Sequence, residues 1–183
     1  KAADTAMYGA KQRGCNCYEF YSQEMVQGLN DKLQMTSELR HALQEEQFFL
    51  VYQPQVDPAD GSVKGVEALA RWRHPLRGVL PPSAFLAMIE EIGLIGEFGL
   101  WVLNEACRQM RLWTDLALPI AKVAINVAPA QLKDSFVGEV DAAIRKWGIA
   151  PACLELEITE GALESGETAR RITAGLRVLG VQL

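Results

Sequence analysis

At 183 residues, with 49% hydrophobic and 22% charged side chains, the chain has the composition of a soluble globular protein. It has room for one medium domain, or one domain and part of another. Eighteen basic residues against 23 acidic ones leave a net charge of −5, which argues against binding to nucleic acid polymers but allows a local basic site for an anionic ligand. No apolar run approaches the roughly 20 residues that span a bilayer and no signal peptide is visible, so a cytoplasmic setting without membrane contact is expected of this segment.

The chain opens in mid-element. Ala2, Ala3, Ala6, Met7 and Ala10 form the small apolar stripe of a short helix that ends near Gly14, and Tyr18, Phe20 and Tyr21 then alternate as in a strand. Residues 22–47 predict a helix, with Met25, Leu29, Leu33, Leu39 and Leu43 at near-helical spacings and a fresh start near Thr36-Ser37, where Ser37 could cap it. Such a helix could join two domains or open the second one. Cys15, Cys17, Cys107 and Cys153 lack zinc-knuckle spacing and read as reduced thiols.

Phe48–Tyr52 is the first expected strand of the next unit, closed by Gln53-Pro54, and Asp57-Pro58-Ala59-Asp60-Gly61 is a turn. The second strand, about Val63 to Ala70, packs Val63, Val66, Ala68 and Leu69 and carries Glu67. A helix then opens at Pro81-Pro82 and ends at Gly93, with Phe85, Leu86, Met88 and Ile89 inward. Another runs from about Gly96 to Leu116 with Leu100, Leu103, Cys107, Met110 and Trp113 as its core stripe. Lys122–Pro129 is the third strand, and a helix follows from about Leu132 to Trp147. Cys153–Glu160 is the fourth strand, placing Leu154, Leu156 and Ile158 on one face and Glu155, Glu157 and Thr159 on the other. A last helix spans about Ala162 to Leu179, and Gly180–Leu183 starts a fifth strand. Strand and helix thus recur about every 30 to 40 residues, which predicts an α/β fold built of βα units.

Within this pattern, polar groups stand where apolar ones are expected. An acid in a buried strand is costly unless paired or metal-bound. Near the C-terminal end of a parallel barrel strand, Glu67 could ligate a hard cation and Arg71 could clamp a phosphate; a strand-end salt bridge is the alternative. Asn126 sits inside an apolar strand, where its carbonyl could ligate a cation or merely satisfy the backbone. The acidic face of the fourth strand could line a site or be solvated edge charge.

The run Glu67-Ala68-Leu69-x-Arg71-Trp72-x-His74-Pro75 resembles the E-A-L-x-R-W-x-H-P signature of the EAL family of cyclic-di-GMP phosphodiesterases. Ile125-Asn126-Val127-Ala128 resembles the family's I-N-V-S/A segment, and Glu157-Ile158-Thr159-Glu160 its E-L-T-E motif, in the same order. The resemblance covers about residues 38–183. It implies the first half of a (β/α)8 TIM-type barrel whose first strand runs antiparallel. It also implies hydrolysis of cyclic-di-GMP to pGpG with two Mg²⁺ or Mn²⁺ ions, and a homodimer of complete domains. By the same resemblance Glu67, Asn126 and Glu157 ligate metal, with Glu67 and Glu160 counted as catalytic. Arg71, Gln53 and Glu90 meet the substrate, and Glu160 steadies a neighbouring loop.

The spacing of alanine, tyrosine, glycine and asparagine between Ala3 and Tyr21 resembles the last helix and strand of a GGDEF domain, although Cys15 replaces the family's usual arginine. The expected organisation is therefore a GGDEF remnant over 1–25, a helical linker over 26–37 and a truncated EAL barrel over 38–183. The paired aspartates that the family carries next lie beyond Leu183, so the chain alone is expected to be inactive. A catalytically silent cyclic-di-GMP receptor or interaction module is the alternative function.

Overall fold

Phe48, Leu50 and Tyr52 alternate along one strand with Phe49, Val51 and Gln53, so the strand has one face for helices and one for chemistry. The computed structural model describes Phe20, residues 23–163 and residues 166–183. Apart from Phe20, the helix and strand expected over residues 2–21 lie outside the described residues. Two compact units divide after His41. Helix α1 (Gln23–Gln44) runs through Thr36 and Ser37 unbroken. The Thr36 hydroxyl donates to the Lys32 carbonyl one turn back at 2.8 Å, the bond of a helix interior, so no new start forms at Ser37.

The second unit, Ala42–Leu183, is built on a sheet of β1 (Phe48–Val56), β2 (Val63–His74), β3 (Gly78–Leu80), β4 (Val123–Val127) and β5 (Leu154–Ile158). The strand order is β1-β2-β4-β5, with β3 attached to β2. β1 is antiparallel to β2, whereas β2, β4 and β5 are parallel. The described strands form an open sheet, not a closed barrel.

Two strands run past their expected ends. β1 continues through Gln53-Pro54 to Val56: among the described residues its only strand partner is β2, and a proline on such an edge forfeits no ladder bond to a second neighbour. β2 continues to His74 because β3 pairs with Trp72–His74. The turn between them is held by the buried His74, whose Nδ1 accepts the amides of Leu76 at 3.1 Å and Arg77 at 3.2 Å. Pro75 then stops the strand.

The core lies between the sheet and helices α2 (Leu86–Glu91), α3 (Ile95–Asp115), α4 (Phe136–Trp147) and α6 (Glu167–Leu179); a short α5 (Glu160–Leu163) precedes the last. Phe48 is its aromatic centre, with ring centroids of Phe98, Phe85, Trp72 and Trp101 at 5.1, 5.3, 5.8 and 5.8 Å. Truncating so enclosed a ring costs about 3–5 kcal/mol.

Several packing expectations change. Val63 and Leu100 are exposed and Leu69 is half-buried, while Phe98, Val102 and Ala106 fill the inner face of α3. Helices expected to start at Pro82 and Leu132 start at Leu86 and Phe136. Single 3₁₀ turns, Pro82–Ala84 and Pro129–Gln131, precede them, each opening with a proline that has no amide to donate. The helix expected over 162–179 is two helices, with Gly166 at φ +117° ahead of the second. The fifth strand begins as one parallel bridge, Glu155 with Gln182. Among the described residues, no helix is long and apolar enough to cross a membrane.

Candidate metal centre

The sheet face turned away from Phe48 carries a row of polar residues across four strands. Gln53 on β1 pairs in register with Glu67 on β2, and Glu67 pairs with Ala124 on β4. Two residues along β4, on the same face, Asn126 pairs with Glu157 on β5. Strand register alone thus brings Gln53, Glu67, Asn126 and Glu157 to one face.

Asn126 donates from Nδ2 to Glu67 Oε1 at 2.8 Å, which leaves the amide oxygen as its remaining acceptor. The Glu157 carboxyl is pushed above its ordinary value, first by burial, then by the charges of Glu67 and Glu155, with Lys122 opposing. Two carboxylates and an amide oxygen are hard donors, and Glu157, half-buried beside two other carboxylates, is costly to charge without a cation. That donor set fits Mg²⁺ or Mn²⁺. Among the described residues, no group of three or more His, Cys, Asp or Glu side chains gathers as a metal cluster, so any ion here would rely on the asparagine.

Arg71 is half-buried on the same face of β2 as Glu67, opposite Phe49, with Nη1 donating to the Ala70 carbonyl at 2.7 Å. Gln53 is exposed beside Glu67. Glu90 is exposed near the end of α2, and it lines a cavity of about 350 Å³ together with Leu69, Asn126 and Thr159. Glu160 is exposed at the first position of α5, next to Thr159.

Two supporting contacts are not evident from the sequence pattern. Gln131 accepts the Ala128 amide on Oε1 at 2.9 Å and so braces the turn that follows Asn126. A Cβ on Gly99 of α3 would lie 1.8 Å from Gln131 Nε2, so the buried glutamine fits only against glycine. Beneath Glu157, Lys122 Nζ lies 2.5 Å from Glu155 Oε2. The acidic alternation of β5 exposed Glu155 to notice, but nothing in the sequence paired it with Lys122.

Comparisons with known proteins show the family of the chain. The chain is 40% identical over 181 residues to the bifunctional diguanylate cyclase/cyclic di-GMP phosphodiesterase MucR of Pseudomonas aeruginosa, covering 98% of this chain and 26% of that protein. It is 39% identical over 185 residues to the cyclic di-GMP phosphodiesterase NbdA of the same organism, covering 100% of this chain and 24% of that protein. The chain therefore spans about a quarter of the length of these relatives. A solved structure of the PaMucR phosphodiesterase in a c-di-GMP complex matches with a TM-score of 0.78 at 39% identity, over 81% of this chain and 61% of that one. The EAL enzyme Bd1971, in its cAMP- and cyclic-di-GMP-bound form, matches with a TM-score of 0.77 at 26% identity, over 84% of this chain and 43% of that one. The EAL domain family model matches residues 36–183, and the chain belongs to the EAL domain family.

Proposed function

We propose that this chain is the part of a metal-dependent cyclic-di-GMP phosphodiesterase that supplies one wall of its active site, the product being pGpG. The observation that carries this reading is the row formed by Glu67, Asn126 and Glu157, in which Asn126 is bonded to Glu67 and the Glu157 carboxyl is raised by burial and by its acidic neighbours. Glu67, Asn126 and Glu157 would hold Mg²⁺ or Mn²⁺, two ions in a complete domain. Such a cation offsets charge on the phosphodiester oxygens and makes a water a competent nucleophile at neutral pH. Arg71, on the same face, supplies a guanidinium fork matched to phosphate oxygens once it leaves the Ala70 carbonyl. Gln53 and Glu90 flank the row and meet the nucleotide, and Glu160 steadies the adjoining loop. Residues 1–25 belong to a GGDEF domain under the same reading, joined through residues 26–37, and the complete cytoplasmic protein acts as a homodimer.

The test is release of pGpG from cyclic-di-GMP with Mn²⁺, followed by chromatography. It is run on the 183-residue chain and on a protein that continues it through a complete EAL domain, each beside its E67A variant. The complete domain is expected to hydrolyse the dinucleotide and to lose that activity in E67A, and the chain alone to be silent. A complete domain that binds cyclic-di-GMP without cleaving it would make this a receptor. Hydrolysis that survives E67A would remove Glu67 from the site.

A further inference from the structure

Three carboxylates share the candidate face, but they stand at two levels. Asn126 and Glu157 form one, and at the other Ala124 has Glu67 on one side and Glu155 on the other; Asn126 bonds the Glu67 carboxylate, while the Glu155 carboxylate lies against Lys122. Its charge is matched from one direction. Lys122, just before β4, brings Nζ to 2.5 Å from Glu155 Oε2, with the two side chains 24% and 21% exposed. Gln182 adds its amide oxygen at 3.5 Å from the same ammonium, and its own Nε2 donates to the Ala152 carbonyl at 2.9 Å.

The lysine reaches that position over a glycine. Gly65 of β2 points to the same face as Glu67, and a Cβ there would lie 2.7 Å from Lys122 Cγ and 3.1 Å from the Lys122 carbonyl oxygen. That carbonyl accepts the Val66 amide at 3.0 Å. The backbone of β2 is thus fitted to the lysine stem, and any larger residue at position 65 would displace it.

We propose that Lys122 is a positioning residue for the candidate cation site: seated over Gly65, it holds the Glu155 carboxylate back from Asn126 and Glu157 and keeps it out of the ligand set. The proposal rests on the reading of Glu67, Asn126 and Glu157 as cation ligands. Glu155 and Glu157 are otherwise equivalent oxygen donors on one strand face, and an unpaired Glu155 would compete for a divalent ion or draw it down. Lys122 also sets the local field, since the pair is neutral and either partner alone is not.

A cycle of substitutions separates this from a purely structural role, with Mn²⁺ binding to the chain measured by electron paramagnetic resonance. K122M removes the positive charge and frees Glu155, so Mn²⁺ affinity is expected to rise roughly threefold or more. E155Q leaves Lys122 unpaired beneath the site, and affinity is expected to fall by a similar factor. The neutral double variant K122M/E155Q is expected to return close to the unsubstituted chain, and K122R, which keeps the charge, to stay near it. A structural prop predicts weaker binding in both single variants, and that result would overturn the proposal, as would no change in either. E67Q separates the two levels of inference. Binding lost in E67Q but indifferent to K122M and E155Q would sink the proposal alone. Binding that survives E67Q would sink the cation site as well.

Discussion

Asn126 and Glu67 are joined by a 2.8 Å hydrogen bond although they are not register partners, Glu67 standing opposite Ala124. The bond runs diagonally between two parallel strands, from an amide two residues farther along β4. That offset is permitted because Ala124 is small and buried, so nothing on β4 fills the space beside the carboxylate. Asn126 therefore orients Glu67 as well as offering its own oxygen.

N126A is expected to weaken Mn²⁺ binding by roughly tenfold or more, because it removes a donor oxygen and the bond that fixes Glu67. Isothermal titration of the chain with Mn²⁺ checks this. Unchanged affinity would make Asn126 a structural amide.

The Glu157 carboxyl is raised by burial first, then by Glu67 and Glu155. Neutralising its neighbour in E67Q is expected to lower it, yet to leave it above the ordinary carboxylate range because burial remains. Carboxyl ¹³C shifts followed against pH report this directly. The sign for stability follows from the direction. A raised folded value means that the folded state holds the proton more tightly. Glu157 therefore favours folding at pH below the ordinary carboxylate range, and that contribution is lost as pH rises through the folded value. E67Q should soften the loss.

Cys107 is buried in α3 and its thiol is pushed up to about 12 by burial. The thiolate is the reactive form, so Cys107 is expected to resist iodoacetamide at pH 8 in the folded chain and to react in denaturant. Peptide mapping after labelling checks the site. Because unfolding releases a thiol that ionises near 9.0, this group's contribution to stability is full below that pH and declines from there toward about 12.

G99A would place a methyl group 1.8 Å from Gln131 Nε2 and force the glutamine off the Ala128 amide. A loss of about 1–3 kcal/mol in urea denaturation is expected. Combining it with Q131A should relieve the clash, so that the double variant loses less than the sum of the two. Strict additivity would mean that the two positions do not meet.

Much of the fold was legible because its elements obey simple periods. The alternation in Leu154–Ile158 named the faces of β5, and the antiparallel β1 followed from the family resemblance. What escaped depended on distant partners. β3 is three residues long and exists by pairing with Trp72–His74, so no local signal announced it. Leu100 fits a helical stripe as well as Phe98 does, and only the position of Phe48 decides which turns inward. At the candidate site, Glu67 and Asn126 stood out as polar residues in apolar strands, and the family resemblance singled out Glu157 from the acidic face of its strand. The Lys122–Glu155 pair did not, because it requires the β2 backbone at Gly65 to pass close to a lysine 57 positions away.

The central claim is that Glu67, Asn126 and Glu157 together hold a divalent cation. The most direct test is the broadening of backbone amide resonances of the chain by substoichiometric Mn²⁺. The account predicts broadening centred on Glu67, Asn126 and Glu157, abolished in E67Q and E157Q. Broadening centred on the exposed Asp57–Asp60 turn, or unchanged in both variants, would contradict it.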